Sequence, residues 1–188
     1  MNSSILIKQV DTTEELEQIL TLQNQNHVKN LSAEQKKANG FLNVKLDMGI
    51  LTVLNKAAPQ IIAKDHGKVV GYALVMLKEQ KEMIPMLIPM FEMLNRLSFD
   101  KKPLMDYNFY VMGQVCISDS HRGQGIFEAL YDKHKSLYSE VFEICLTEIS
   151  VNNHRSMKAH TKVGFQVIHN FKDQTDDWNI VLWNWNKK

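Results

Sequence analysis

The stretch Val115-Cys-Ile-Ser-Asp-Ser-His-Arg-Gly-Gln-Gly-Ile-Phe-Glu-Ala-Leu130 decides how this 188-residue chain is read. It begins inside a run, Phe109 to Ile117, that is apolar on both alternating sets of positions, the pattern of a strand covered on both faces in the middle of a sheet. A polar, glycine-bearing segment, Ser118 to Gly125, then opens directly into a helical pattern. There Ile126, Phe127, Leu130, Tyr131, His134, Leu137 and Tyr138 mark one side. The start of a helix offers unpaired amide hydrogens and the positive end of a dipole, and glycines admit an anion without a β-carbon in its way. Arg122 adds a guanidinium able to make charge-assisted hydrogen bonds. Arg122, Gly123, Gln124, Gly125, Ile126 and Phe127 therefore read as a phosphate or pyrophosphate site, with a plain tight turn as the other reading. The Walker pattern is absent, since no Gly-Lys-Ser/Thr follows the second glycine, and the third glycine of a Rossmann fingerprint is missing.

Upstream, Ile5 to Val10 alternates as an opening strand, and Asp11-Thr12-Thr13 supplies N-cap chemistry for a helix with Leu16, Ile19, Leu20 and Gln23 on one side. Asn24 to Gly40 is polar, and Phe41 to Leu54 has apolar residues at mixed spacing that assign it to no element. Gln60 to Lys64, the turn Asp65-His66-Gly67-Lys68 and Val69 to Leu77 form a hairpin. Lys78 to Tyr107 is an insertion rich in methionine and proline. Its Met86, Met90, Met93, Leu94 and Leu97 fall at helical spacing, as a helix packed on the core or as an adaptable lid over a pocket. Downstream come a second buried strand, Glu143 to Val151, and a second helix, Asn152 to Val163. Phe165 to Phe171 and Trp178 to Trp185 close the chain as a hairpin, Val181, Trp183 and Trp185 on one face and Trp178, Ile180 and Leu182 on the other. This order predicts a single domain over residues 1–188, a mixed α/β sheet with helices on its faces.

Composition narrows the function. Hydrophobic residues make up 44% and charged residues 23%, as in an ordinary soluble globular protein. Twenty-two basic residues face 21 acidic ones, which argues against general nucleic-acid or anionic-membrane binding. The start, MNSSILIKQV, carries no signal-peptide core, and the longest apolar stretch, Met83 to Leu94, is interrupted by Pro85, Pro89 and Glu92. A cytoplasmic protein is expected. Cys116 and Cys145 read as buried thiols, with neither a disulfide framework nor metal-ligand spacing. The Trp-rich last strand serves as core or as the face of a homodimer.

The second helix places Asn153, Ser156 and His160 within one narrow arc, flanked by Met157, Ala159 and Val163, while His154, Arg155, Lys158 and Lys162 lie opposite. Three polar residues on the face expected to be buried are either a lined pocket or a hydrogen-bonded patch of core. Together, Val115-x-Ile-x4-Arg-Gly-x-Gly-Ile126 and Asn153-x2-Ser-x3-His-x3-Gly-Phe165 resemble the Gcn5-related N-acetyltransferases, the GNAT family, with element order matching from Ile61 to Trp185 and more loosely from Ile5 to Leu22.

The resemblance implies a mixed, mostly antiparallel sheet and acetyl-coenzyme A as donor, with no metal. It assigns the coenzyme's pyrophosphate to the amides of Arg122 to Phe127 and its pantetheine arm to the exposed backbone of Val115, Cys116 and Ile117, in the manner of an added strand. It has Asn153 hydrogen-bond the pantetheine or pyrophosphate region, with Ser156 next to it. Phe127 stands where the family usually has glycine or alanine, and His160 where many members carry the tyrosine that protonates the departing thiolate. The implied reaction is direct attack of a small-molecule amine on the thioester in a ternary complex, with the oxyanion met by a backbone N–H near Val115 or Cys116. His160 is then the acid and Glu148, on the strand face of Ile144 and Leu146, the candidate base, its other reading being a paired carboxylate. The rivals are a non-catalytic module that binds CoA or acyl-CoA and a nucleotide-binding regulator using the same loop.

Overall fold

The computed structural model describes residues 5–39 and 41–185. Strand β1 (Leu6–Gln9) leads into α1 (Thr13–Asn26), whose N-cap Thr12 accepts from Glu15 N at 3.2 Å. Helices α2 (Ala33–Asn39) and α3 (Met48–Ala57) follow, then the hairpin of β2 (Ile61–Asp65) and β3 (Lys68–Leu77). The turn of that hairpin is His66-Gly67, both left-handed with φ of 45° and 81°, as a tight two-residue connection requires. The insertion holds three short 3₁₀ turns, α4 (Ile88–Leu94) and a small hairpin of β4 (Ser98–Phe99) and β5 (Lys102–Pro103). Then come β6 (Phe109–Ile117), α5 (Ile126–Tyr138), β7 (Ile144–Ser150), α6 (His154–Val163), β8 (Gln166–Lys172) and β9 (Asp177–Asn184).

Seven strands form one sheet in the order β1-β2-β3-β6-β7-β9-β8, antiparallel throughout except between β6 and β7. The strand apolar on both faces, β6, is the central one, as its pattern requires. One face carries α1, α3 and α4 over Tyr72, Leu74, Met76, Ile180 and Leu182. The other carries α5, with Ile126, Leu130 and Tyr131, over Ala73, Val75, Tyr110, Val181 and Trp183. No helix of the described residues is long and apolar enough to cross a membrane.

Two segments depart from their sequence reading. Phe41 to Leu54 splits into an irregular strap and the start of α3, which Asp47 caps by accepting from Ile50 N at 2.9 Å. The long helical spacing in the insertion shrinks to seven residues, because Pro85 and Pro89 suit only first-turn positions and restart the chain at each. Met86 is thereby left outside the helix and 41% exposed, while Met90 and Leu94 are fully buried in the core.

The parallel pair of β6 and β7 is short. Only Phe109, Tyr110 and Val111 pair, with Ile144, Cys145 and Leu146, before the strands part. Where they separate, the Thr147 hydroxyl donates to Met112 O at 2.8 Å, satisfying a carbonyl the ladder has left. Just beyond, a register shift between β3 and β6 leaves Gly113 as a bulge residue.

Candidate functional site

The gap opened by the separating strands is continuous with two clefts. One is walled by Val115, Cys116, Ile117, Arg122, Gly123, Gly125 and the first turns of α5 and α6. The other lies deeper in the split, between Met112 to Val115 of β6 and Thr147 to Ser150 of β7, and takes in Glu148 and His160. Val115, Asn153 and Ser156 belong to both.

The first cleft has the character of an anion site. Gly123 and Gly125 sit at φ of 75° and 78°, and no heavy atom lies within 4 Å of where a β-carbon would stand on either. Their side of the loop is open, and the left-handed backbone itself demands glycine. Gly125 is the N-cap of α5 and has no side chain to cap it, so the first-turn amides of Ile126, Phe127 and Glu128 retain their hydrogens for a ligand. Arg122 is anchored rather than free-swinging: Nε donates to Ile117 O at 3.2 Å, Nη2 to Asn26 Oδ1 at 2.8 Å, and Asp119 pairs with it at 2.7 Å. Its Nη1 is buried with no hydrogen-bond partner among the described residues, a donor awaiting an acceptor. Arg155 adds positive charge to the wall, where Lys162 is ion-paired with Glu128. Gln124 turns away, its amide donating to Ser120 O at 3.1 Å.

The parity of β6 determines which backbone groups face the gap. Ser118 N donates to Val70 O at 2.8 Å, and the register pairs Ile117 with Gly71, Cys116 with Tyr72 and Val115 with Ala73. Alternation in an antiparallel ladder then commits the Cys116 main chain to β3 and turns the N–H and C=O of Val115 and Ile117 toward the gap. Cys116 instead offers its thiol to the opposite face, where burial pushes its pKa up to about 12; it is an inert packed group.

Asn153, the N-cap of α6, accepts from Ser156 N at 3.2 Å, and its amide donates to Phe41 O at 3.3 Å. It thus ties the helix start to the strap lying over both clefts. His160 is 2% exposed and both ring nitrogens are engaged. Nδ1–H donates to Ser156 O at 2.8 Å, with Ser156 Oγ at 3.2 Å, and Nε2 accepts from the Tyr131 hydroxyl at 2.6 Å. Burial lowers its pKa to about 4, so the imidazole is neutral at pH 7. The rings of Phe127, Tyr131 and Phe165 surround it with centroids 5.1–5.4 Å away. Phe127 thus occupies its unexpected place by closing an aromatic cluster around the histidine.

Glu148 lies in the split, opposite Ile180 of β9 and lining the same wall as Trp178. Burial, reinforced by the nearby negative charge of Asp173, pushes its pKa up to about 8. Among the described residues no cation pairs with it.

Sequence reasoning missed the strap residues Phe41 to Val44, the anchor Asn26 and the hydroxyl of Tyr131. Each acts across a tertiary contact, so the periodicity that places Tyr131 on the inner side of α5 says nothing of its hydrogen bond, and the others have no periodic signal. Gln114 is similar: it joins Gln23 Nε2 at 3.2 Å, the Tyr72 hydroxyl at 2.7 Å and Val44 O at 2.8 Å, seating the strap on the sheet.

A family model of the acetyltransferase (GNAT) family matches residues 16–165. The chain belongs to the GNAT acetyltransferases. Solved structures share the fold at low identity. The structure of yncA from Salmonella typhimurium with its cofactor acetyl-CoA superposes with a TM-score of 0.61 at 16% identity, covering 99% of this chain and 96% of that one. An N-acetyltransferase from Staphylococcus aureus Mu50 gives 0.63 at 16%, covering 98% and 100%. The NatC complex bound to Gag peptide and CoA gives 0.64 at 13%, covering 96% and 98%. No curated protein sequence matches the chain. The GNAT donor is acetyl-CoA, and the residues of the first cleft suit it: uncapped amides and the orphaned Arg122 Nη1 for a diphosphate, and an unpaired strand edge for an amide-bearing arm.

Proposed function

We propose that this GNAT protein is an N-acetyltransferase that moves an acetyl group from acetyl-CoA to the amine of a small-molecule acceptor. The observation that carries the reading is the meeting of the two clefts at Val115 and Ser156, with an anion site at one end and an unpaired carboxyl at the other. When bound, the coenzyme supplies a thioester-activated acetyl group. The amides of Ile126 to Glu128 and Arg122 Nη1 would hold its diphosphate, and the Val115 and Ile117 main chains its arm. The Val115 N–H, turned to the gap, offers a fixed dipole where negative charge develops on the acetyl oxygen.

Glu148 accepts a proton from the acceptor amine, a role served by a pKa near the working pH. As the amine's new C–N bond forms and the C–S bond breaks, CoA leaves as a thiolate; His160, neutral, keeps its proton at Nδ1 and orients the Ser156 hydroxyl, which would hydrogen-bond the departing sulfur. Tyr131 fixes the ring by donating to Nε2. Direct transfer between two bound substrates needs no protein nucleophile, consistent with the inert Cys116.

The test is CoA release from acetyl-CoA with a panel of primary amines, alongside CoA binding by calorimetry. Turnover with at least one amine supports the transferase. Tight CoA binding with no turnover on any amine would make the chain a CoA-binding module, and displacement of CoA by ATP would make it a nucleotide-binding regulator.

A further inference from the structure

Resting on that reading, we infer that the acceptor is a monoamine with an apolar arm, selected by the wall that the methionine-rich insertion contributes to the deeper cleft. Its apolar side is Phe41, Leu42, Met86, Leu87, Met90 and Trp178. Among the described residues its titratable side chains are Glu148 and the neutral His160, with no lysine or arginine on its wall. Most of the uncharged polar side chains already have partners within the protein, the Trp178 indole N–H being buried without one among the described residues. Thr147 is bonded to Met112 O, Ser150 to Asp176, Gln114 to Tyr72 and Val44, and Asn153 to Phe41 O. A polar or multiply charged acceptor would therefore surrender hydration with little to replace it.

One cation is provided for and a second is not. Among the described residues Glu148 is the single carboxyl that lines the deeper cleft. Asp176, in the adjoining outer cleft, is occupied by the Ser150 hydroxyl at 2.6 Å and the Asn152 amide at 3.2 Å. Lys29 and Lys45 also line the outer cleft, which shares Asn43, Met86 and Trp178 with the inner one. Like charge at that exit disfavours diamines, polyamines and basic peptides, while the apolar wall rewards a hydrocarbon arm.

The experiment compares hexylamine with 1,5-diaminopentane, near-isosteres that differ by a terminal methyl against an ammonium, with CoA release as the readout on the full chain. Hexylamine should exceed the diamine at least tenfold in kcat/KM, and across ethyl-, butyl- and hexylamine the value should climb about three- to fourfold per methylene. Met86→Glu, at a position 41% exposed and thus tolerant of charge, should shrink the preference at least tenfold by supplying a second carboxylate at the exit, with CoA affinity retained. Equal or better turnover of the diamine, or a preference unmoved in Met86→Glu, overturns the inference and leaves the transferase standing. Absence of CoA release with every amine overturns the transferase and the inference together.

Discussion

Replacing Glu148 by glutamine should make this protein more stable and less active, and the two effects should share one pH dependence. The Glu148 carboxyl binds its proton more tightly in the folded protein, with a pKa of about 8 against 4.5 for an unperturbed glutamate. The sign follows from linkage. Between those two values the unfolded chain releases the proton while the folded one retains it, so folding loses about 1.4 kcal/mol for each pH unit of rise. Below pH 4.5 both states are protonated and the penalty vanishes; above about 8 it is complete, with a ceiling of about 5 kcal/mol. Because the carboxyl borders an open cleft, water relieves part of it, and ~2–4 kcal/mol is expected to appear between pH 5 and pH 8.5. Glutamine carries no such penalty at any pH.

Urea unfolding of both proteins at pH 5, 6.5 and 8.5 reads this directly: the advantage of Glu148→Gln should widen steadily with pH. In parallel, wild-type kcat/KM should rise through an apparent pKa near 8 that the variant loses, along with about 10²–10⁴-fold in rate. Repeating the profile with acceptors of different basicity separates the enzyme's ionisation from the amine's. A stability difference that stays flat across this range would mean that the carboxyl titrates at its ordinary value, and the reasoning from burial would be refuted.

Gly125→Glu should abolish CoA binding in calorimetry, since it adds a side chain and a negative charge at a left-handed position facing open space; wild-type affinity would remove the phosphate site from this loop. His160→Phe should cut turnover with CoA affinity nearly intact, and should lower stability by about 1–3 kcal/mol because the buried Tyr131 hydroxyl loses its acceptor; unchanged turnover would take His160 out of the mechanism. Glu15, 2% exposed and held to a pKa of about 2 by Lys64, Lys8 and the Asp11 amide against the opposing cost of burial, stabilises the fold above pH 4.5, a contribution lost as pH falls toward 2. Glu15→Gln should therefore destabilise by roughly 3 kcal/mol at pH 7 in urea unfolding and by much less near pH 2. Gly164→Ala should cost more than about 2 kcal/mol, because a β-carbon there would stand 2.5 Å from Trp183 Nε1 at a φ of 119°; a fully stable variant would mean that the α6–β8 turn is freer than it is drawn.

What the sequence showed of all this follows the range of the forces involved. Period-two and period-3.6 patterns are local, so β6, α5, β7 and α6 emerge at nearly their observed bounds, and so does the turn at His66-Gly67. The glycine loop is legible for the same reason, since left-handed backbone and helix start lie within a few residues. Parity, however, depends on register with another strand, so it took the ladder with β3 to divide Val115 and Ile117 from Cys116. The strap from Phe41 to Val44 is illegible because it packs through side chains of Gln114 and Asn153, remote in sequence, with no periodicity of its own. The insertion was misjudged in length because hydrophobic spacing ignores the missing amide hydrogens of Pro85 and Pro89.

The parting of β6 and β7 connects the fold to its chemistry. A central strand normally satisfies its backbone on both sides, and leaving one edge open in the interior is costly. Here the cost is met piecemeal: Thr147 covers Met112 O, Arg122 covers Ile117 O, and the strap is drawn across the opening. Each of these groups sits at a boundary between the core and the two clefts, and what they leave uncovered, the Val115 main chain, lies where the clefts meet. Closing the gap with a fully paired β7 would give a better sheet and no site. The same exchange recurs at Glu148, where a glutamine would stabilise the protein and remove the base. In both places stability is forgone at the position where the reacting groups must come together, which is why the split strand, the unpaired carboxyl and the uncapped helix lie within one continuous opening rather than scattered over the surface.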